Sequence, residues 1–171
     1  MIKKTQEFIK LGIFLMLVAA IAAAALASIY VFTKPRIEAQ KQLEITQALE
    51  QVLPKATHFV KITDELYLGE KGKELVGKVY MVAPVGYSGP ISILVGVSKQ
   101  LVVTGVKIIA LTETPGLGLS ATNPTFLKQF IGKIKEDKLQ AKEDIDALTG
   151  ATITTQAVCD GVKEALDKSQ N

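Results

Sequence analysis

Residues 11–33 form a run of 23 positions without a charge, filled mainly by Leu, Ile, Val and Ala. A helix of that length reaches about 35 Å, and a hydrocarbon core is about 30 Å thick. The pattern predicts a membrane-spanning anchor over 1–34. Tyr30 stands near one end of the run, where interfacial aromatics gather, and Pro35 is expected to mark the exit from the apolar helix. The periodicity then changes. Ile45, Ala48, Leu49, Val52 and Leu53 recur at helical spacing among polar residues, and Pro54 follows. This predicts an amphipathic connecting helix over 35–54, leading into a domain over 55–171.

Within that domain the pattern turns to strands. Residues 74–83 (ELVGKVYMVA), 91–98 (ISILVGVS) and 101–111 (LVVTGVKIIAL) are rich in Val, Ile and Tyr. Lys99 and Gln100 fit a hairpin turn between the last two, although the favoured Asn-Gly is missing. Helical spacing returns from Asn123-Pro124 to about residue 133, with Phe126, Leu127, Phe130 and Ile131 on one face. A last helix is expected to be capped by Thr154 or Thr155 and to run to about residue 168. Central strands between helices predict an α+β domain: a mainly antiparallel sheet flanked by helices. The charged stretch 133–144 reads as a solvated helix end and loop.

Composition narrows the chemistry. One Cys among 171 residues excludes an internal disulfide framework, a CxxC pair and a cysteine-ligated iron–sulfur cluster, and one His excludes a multi-histidine zinc site. Residues 1–42 carry six Lys/Arg and two acids, whereas residues 43–171 carry fourteen Lys and fifteen acids. The domain therefore lacks the basic face that nucleic-acid binding requires. The positive excess flanks the apolar run, and the lysines before it favour a cytoplasmic N-terminus. A cleavable signal, cut after Ala27, is the rival reading. Apolar residues from Ile29 to Phe32 extend the run beyond what a signal needs. Both readings put the domain outside the cytoplasm.

Three segments carry candidate chemistry. Gly86-Tyr87-Ser88-Gly89-Pro90 fits a turn between strands, and Tyr87 among small residues is suited to stacking on a flat ligand. Thr112-Glu113-Thr114-Pro115-Gly116-Leu117-Gly118 follows a strong strand, and its Gly and Pro residues impose an unusual backbone path. Asp146-Ala147-Leu148-Thr149-Gly150-Ala151-Thr152-Ile153-Thr154-Thr155 leads into the last helix. Small neighbours leave the Thr152 hydroxyl open, and a helix start offers free amides to an anion. This suggests a phosphate there, bound or attached; a plain capping segment is the alternative. No catalytic triad can be assembled. His58 reads as a surface or edge residue, and Cys159 as a buried, inert thiol.

Together these segments resemble the FMN-binding domain of the G subunit of the Rnf electron-transport complex, related to the C subunit of the sodium-pumping NADH:quinone reductase. The resemblance covers nearly the whole chain, from the membrane helix through Leu53-Pro54, residues 86–91 and 113–118 to Asp146-Ala147-Leu148-Thr149-Gly150-Ala151-Thr152. It implies FMN joined covalently to Thr152 by a phosphoester. Leu148, Thr149, Gly150 and Ala151 would lie around it, as would Glu113, Thr114, Gly116 and Leu117, and also Tyr87. Thr149 stands where the family usually has Ser and keeps the hydroxyl. A separate flavin transferase would build the bond from FAD with a divalent cation. No metal site and no catalytic residue beyond the flavin are implied. The chain would be a single-pass redox subunit relaying electrons in an ion-translocating ferredoxin:NAD oxidoreductase complex, with no complete active site of its own. A quinone-reductase subunit, a secreted flavin carrier and a non-redox assembly subunit are the competing readings.

Overall fold

The computed structural model describes residues 2–113 and 118–170. The chain divides into two units, residues 1–43 and 44–171. The first unit is helical throughout its described length. Helix α1 runs Ile2–Val52, and its last turns, from Glu44, belong to the second unit. From Ile9 onward α1 is long and apolar enough to cross a membrane. Phe14, Met16, Leu26 and Phe32 are all exposed, the arrangement a lipid-facing helix needs. Ser28 Oγ donates to the Ala24 carbonyl (2.8 Å) and Thr33 Oγ1 to the Ile29 carbonyl (2.9 Å), so both hydroxyls fold back onto the helix. Pro35 lies inside α1 and does not end it. A proline deletes one backbone bond, and the turns on either side carry the helix through.

The second unit is built on a five-stranded antiparallel meander in the order β1-β2-β3-β4-β5. The strands are β1 His58–Lys61, β2 Leu66–Lys71, β3 Glu74–Val82, β4 Ile91–Ser98 and β5 Val103–Leu111. Strand alternation sends side chains to two faces. Tyr80, Ile91, Ile93, Val95 and Val97 pack with α3 (Thr152–Ser169), which buries Val158, Cys159, Val162, Ala165 and Leu166. Phe126 and Phe130 complete this face; their rings meet edge-on, 5.5 Å apart. Val79, Leu94 and Tyr67 face the other way, against Ile45, Ala48, Leu49, Val52 and Leu53 from the end of α1. Each large aliphatic group buried here contributes roughly 1.5–3 kcal/mol. The sheet thus lies between two helical layers.

The end of α1 comes very close to the sheet. A side chain on Gly96 would strike the Val52 carbonyl, and one on Gly105 would meet Val52 Cα at 2.7 Å. Gly69 and Gly77 leave equivalent room for Leu53. Gly69 pairs with Gly77, and Gly96 with Gly105, so the glycines form a floor across four strands. Thr104 Oγ1 then donates to the Val52 carbonyl at 2.6 Å, satisfying an acceptor that a helix end leaves free.

Several elements differ from the sequence expectation. β4 has the expected limits, but β5 starts at Val103. β1 and β2 were not anticipated; they are short, and Gly69 and the terminal charges dilute their pattern. The helix at Asn123 is brief: α2 covers Pro124–Leu127 and passes into a 3₁₀ turn ending at Phe130, shortly before Gly132 at φ +86°. Asn123 does cap it, Oδ1 accepting from Thr125 N at 2.9 Å. The stretch 133–144 is only partly solvated: Leu139 is 1% exposed, and Lys133 pairs with Asp144 at 2.9 Å with both side chains largely covered.

Candidate functional site

β3 leaves the sheet, β4 enters it and β5 ends at the same edge, because the strands are antiparallel. The β3–β4 connection folds into a tight turn. Gly86 N donates to the Gly89 carbonyl (2.8 Å), and Ile91 N to the Pro84 carbonyl (2.9 Å). The turn projects Tyr87, 71% exposed. Two residues beyond β5, half-buried Glu113 turns its carboxylate back, and Oε1 accepts from Tyr87 N at 2.8 Å.

The third part is the start of α3. Ala151 N donates to the Leu148 carbonyl (3.0 Å), with Gly150 at φ +75° to make the turn. Thr155 is fully buried and fastens this turn: its Oγ1 accepts from Leu148 N (3.1 Å) and donates to the Ala151 carbonyl (2.9 Å). Helix α3 therefore begins at Thr152, earlier than a cap at Thr154 or Thr155 would allow. Its cap residue, Ala151, offers no side-chain acceptor. The first-turn amides keep their donors for an outside group, at the positive end of the helix.

These three parts enclose a cavity of about 600 Å³, lined by Tyr87, Glu113, Gly118, Gly150, Ala151, Thr152, Ile153 and Thr154. That volume lies in the ~300–1,000 Å³ range of small-molecule sites. Thr152 is exposed at the cavity wall. Thr154 is only 2% exposed, yet it lines the same wall, and its hydroxyl has no partner among the described residues. Side chains on a helix lean toward its N-terminus, which carries the Thr154 hydroxyl toward the first-turn amides. A hydroxyl held on a buried residue beside free amides is a donor set for an anionic oxygen, and it fits a phosphate group. Exposed Ile153 and Tyr87 supply apolar surface for a flat ring.

Of the residues expected from the sequence, Tyr87, Glu113, Gly150, Ala151 and Thr152 meet at this cavity. Leu148 packs against the core on the α3 side, and Thr149 is exposed beside the cavity-lining Gly150. Thr114, Gly116 and Leu117 lie outside the described residues. Gly118, Ile153 and Thr154 lie within the segments that the sequence marked, but were not themselves named as site residues. The hydroxyl at the third helical position was the available signal for Thr154, and it reads equally well as a cap. His58 is exposed at the start of β1, and Cys159 is fully buried in α3. Burial, with the charges of Asp160 and Asp144, pushes the Cys159 thiol up to about 12, so it stays protonated and inert. Among the described residues no cluster of His, Cys, Asp and Glu is arranged to hold a metal ion.

The chain matches the FMN-binding domain family over residues 86–167 and the RnfG N-terminal region over residues 1–52. It is 35% identical to the G subunit of a Na(+)-translocating ferredoxin:NAD(+) oxidoreductase complex of Acetobacterium woodii, covering 95% of this chain and 91% of that one. The chain belongs to the family of G subunits of ion-translocating oxidoreductase complexes. Other members of this family are the G subunit of a proton-translocating ferredoxin:NAD(+) oxidoreductase complex from Clostridium ljungdahlii (37% identical; 86% and 84% covered) and that of an ion-translocating oxidoreductase complex from Methanosarcina acetivorans (32%; 95% of each). The fold is similar to the crystal structure of Shewanella oneidensis NqrC, with a TM-score of 0.51 and 20% identity over 66% of each chain. The matched FMN-binding region contains the Tyr87 turn, Glu113 and the start of α3.

Proposed function

We propose that this chain is the membrane-anchored electron-transfer subunit of an ion-translocating ferredoxin:NAD-type oxidoreductase complex, with FMN joined covalently to Thr152 through a phosphoester. The observation that carries the attachment point is the difference among the hydroxyls at the start of α3. Thr152 is exposed at the cavity, whereas Thr155 is spent on the Leu148–Ala151 turn and Thr154 is buried. Attachment by a separate transferase balances with FAD as donor. The Thr152 oxygen bonds to the flavin-side phosphorus, the bond to the adenylate half breaks, AMP leaves and the hydroxyl proton is lost to solvent or the transferase. The first-turn amides and the Thr154 hydroxyl then neutralise the phosphate oxygens.

The flavin would supply the electron-carrying chemistry. The chain's own residues hold and shield it: Ile153 and Tyr87 offer apolar faces, and Thr152 prevents loss of the group outside the cell. α1 would anchor the domain on the extracytoplasmic side, with the N-terminus in the cytoplasm. The relatives named above move different ions, sodium in one and protons in another, at nearly equal identity to this chain.

The test is the intact mass of protein extracted from membranes of a host with flavin transferase, with peptide mapping of residues 143–163. The expected result is a gain of FMN less one water, localised to Thr152. An unmodified mass would overturn the redox reading and favour a non-redox assembly subunit.

A further inference from the structure

Glu113 was expected to touch the cofactor, yet its carboxylate is already engaged. Oε1 holds the Tyr87 amide at 2.8 Å. The same side chain is wedged between two glycines. A Cβ on Gly86 would strike Glu113 Oε1, and one on Gly118 would strike Glu113 Cβ, with Cγ at 2.8 Å and Oε2 at 3.1 Å. Gly86 opens the tight turn that projects Tyr87, and Gly118 begins the 3₁₀ turn Gly118–Thr122. The Glu113 side chain is therefore bonded to the β3–β4 turn and packed closely against the start of the 3₁₀ turn, and both border the same cavity.

We infer that Glu113 is a positioning residue: it fastens the Tyr87 turn to the cavity wall and is not itself a ligand of the cofactor. A carboxylate-to-amide bond is charge-assisted and stronger than a neutral one. It fixes the amide of a residue whose side chain is exposed, so the aromatic ring is delivered to the cavity mouth from a fastened backbone. The glycines at 86 and 118 follow from the same arrangement, because any side chain at either position would displace the clamp. This inference rests on the proposed flavin site only for what Tyr87 would face; the clamp itself is a property of the protein alone.

The experiment uses the full-length chain in detergent and compares wild type with Glu113→Ala and Glu113→Gln. Amide hydrogen exchange is followed in the peptide covering residues 85–91, with covalent flavin read by mass in each sample. Loss of the clamp in Glu113→Ala is expected to speed exchange in this peptide about tenfold, as for one charge-assisted bond holding a surface turn. Glu113→Gln keeps an acceptor oxygen and is expected to restore most of the protection. In flavin-loaded protein, Glu113→Ala should also alter the visible circular dichroism of the flavin, and Glu113→Gln should return it toward wild type. Unchanged exchange in Glu113→Ala overturns the inference, as does a Glu113→Gln variant as open as the alanine one. Wild-type protein without flavin would overturn the functional reading and leave the exchange comparison to decide the clamp.

Discussion

The end of α1 and the start of α3 are two helix termini set against glycine-lined backbone, and they are finished in opposite ways. At α1, the glycine floor of Gly69, Gly77, Gly96 and Gly105 is filled by Val52 and Leu53, and Thr104 satisfies the Val52 carbonyl. At α3, Gly118 and Gly150 line a cavity, Ala151 provides no cap, and Thr154, itself buried, keeps a hydroxyl without a partner among the described residues. Glycine makes close approach possible in both places. Stability comes from filling the space, and binding capacity comes from leaving it. No side-chain polar atom among the described residues is buried without a partner, so the Thr154 hydroxyl opens onto the cavity and stays within reach of an incoming group.

If that contrast is right, substitutions at the two ends should separate stability from cofactor content. The largest effect is all-or-none. Thr152→Ala should abolish covalent flavin by mass while its urea unfolding midpoint stays at that of unflavinylated wild type. Next, Gly96→Val should destabilise by about 3 kcal/mol or more in urea unfolding, because the new side chain meets the Val52 carbonyl and Thr104 Oγ1. Gly89→Ala should cost little, since a Cβ there finds only Thr112 at 3.4 Å. A subtler pair compares two threonines by the same isosteric change. Thr104→Val should cost about 1–2 kcal/mol, from the orphaned Val52 carbonyl. Thr154→Val should stay within about 0.5 kcal/mol of wild type, yet slow flavin attachment in a timed transferase assay. Equal stability costs for the two would erase the distinction.

The packed end was far more legible in sequence than the open one. Ile45, Ala48, Leu49, Val52 and Leu53 announced the helix face that the structure buries, because repeated apolar positions leave a periodic trace. β4 was legible for the same reason. The four-glycine floor was not, since glycines scattered over four strands show no pattern until the register aligns them. At the open end, motifs marked segments that meet at one cavity, and Thr152 stood out by its small neighbours, whereas the bond between Glu113 and the Tyr87 amide spans 26 positions with no local signal. Length and apolarity marked the stretch that the structure makes a long apolar helix, but Pro35 misled, because local propensity does not decide the fate of one residue in a 51-residue helix.

The smallest effect concerns the segment that delivers α3 to the cavity. Residues 139–146 have no regular helix or strand, and side chains supply several of their backbone partners. Asp144 accepts from Leu139 N (3.1 Å) and Gln140 N (2.8 Å) and pairs with Lys133, while Gln129 and Gln156 accept from Asp146 N and Ala141 N. Partial burial pulls the Asp144 carboxyl upward, but the amides of Gln140 and Leu139 and the Lys133 ammonium outweigh it and hold the group below its ordinary 3.8. A depressed folded-state value means that the unfolded chain takes up this proton first. The stabilisation is therefore complete above the unfolded value, near pH 4, and is lost as pH falls through the lower folded value. Urea unfolding of wild type should weaken over that acid window. Asp144→Asn should remove part of the slope and leave the protein modestly less stable at neutral pH. Identical slopes for the two would mean that the carboxylate does not fasten this segment, and that the open end of α3 is held by Thr155 and the glutamines alone.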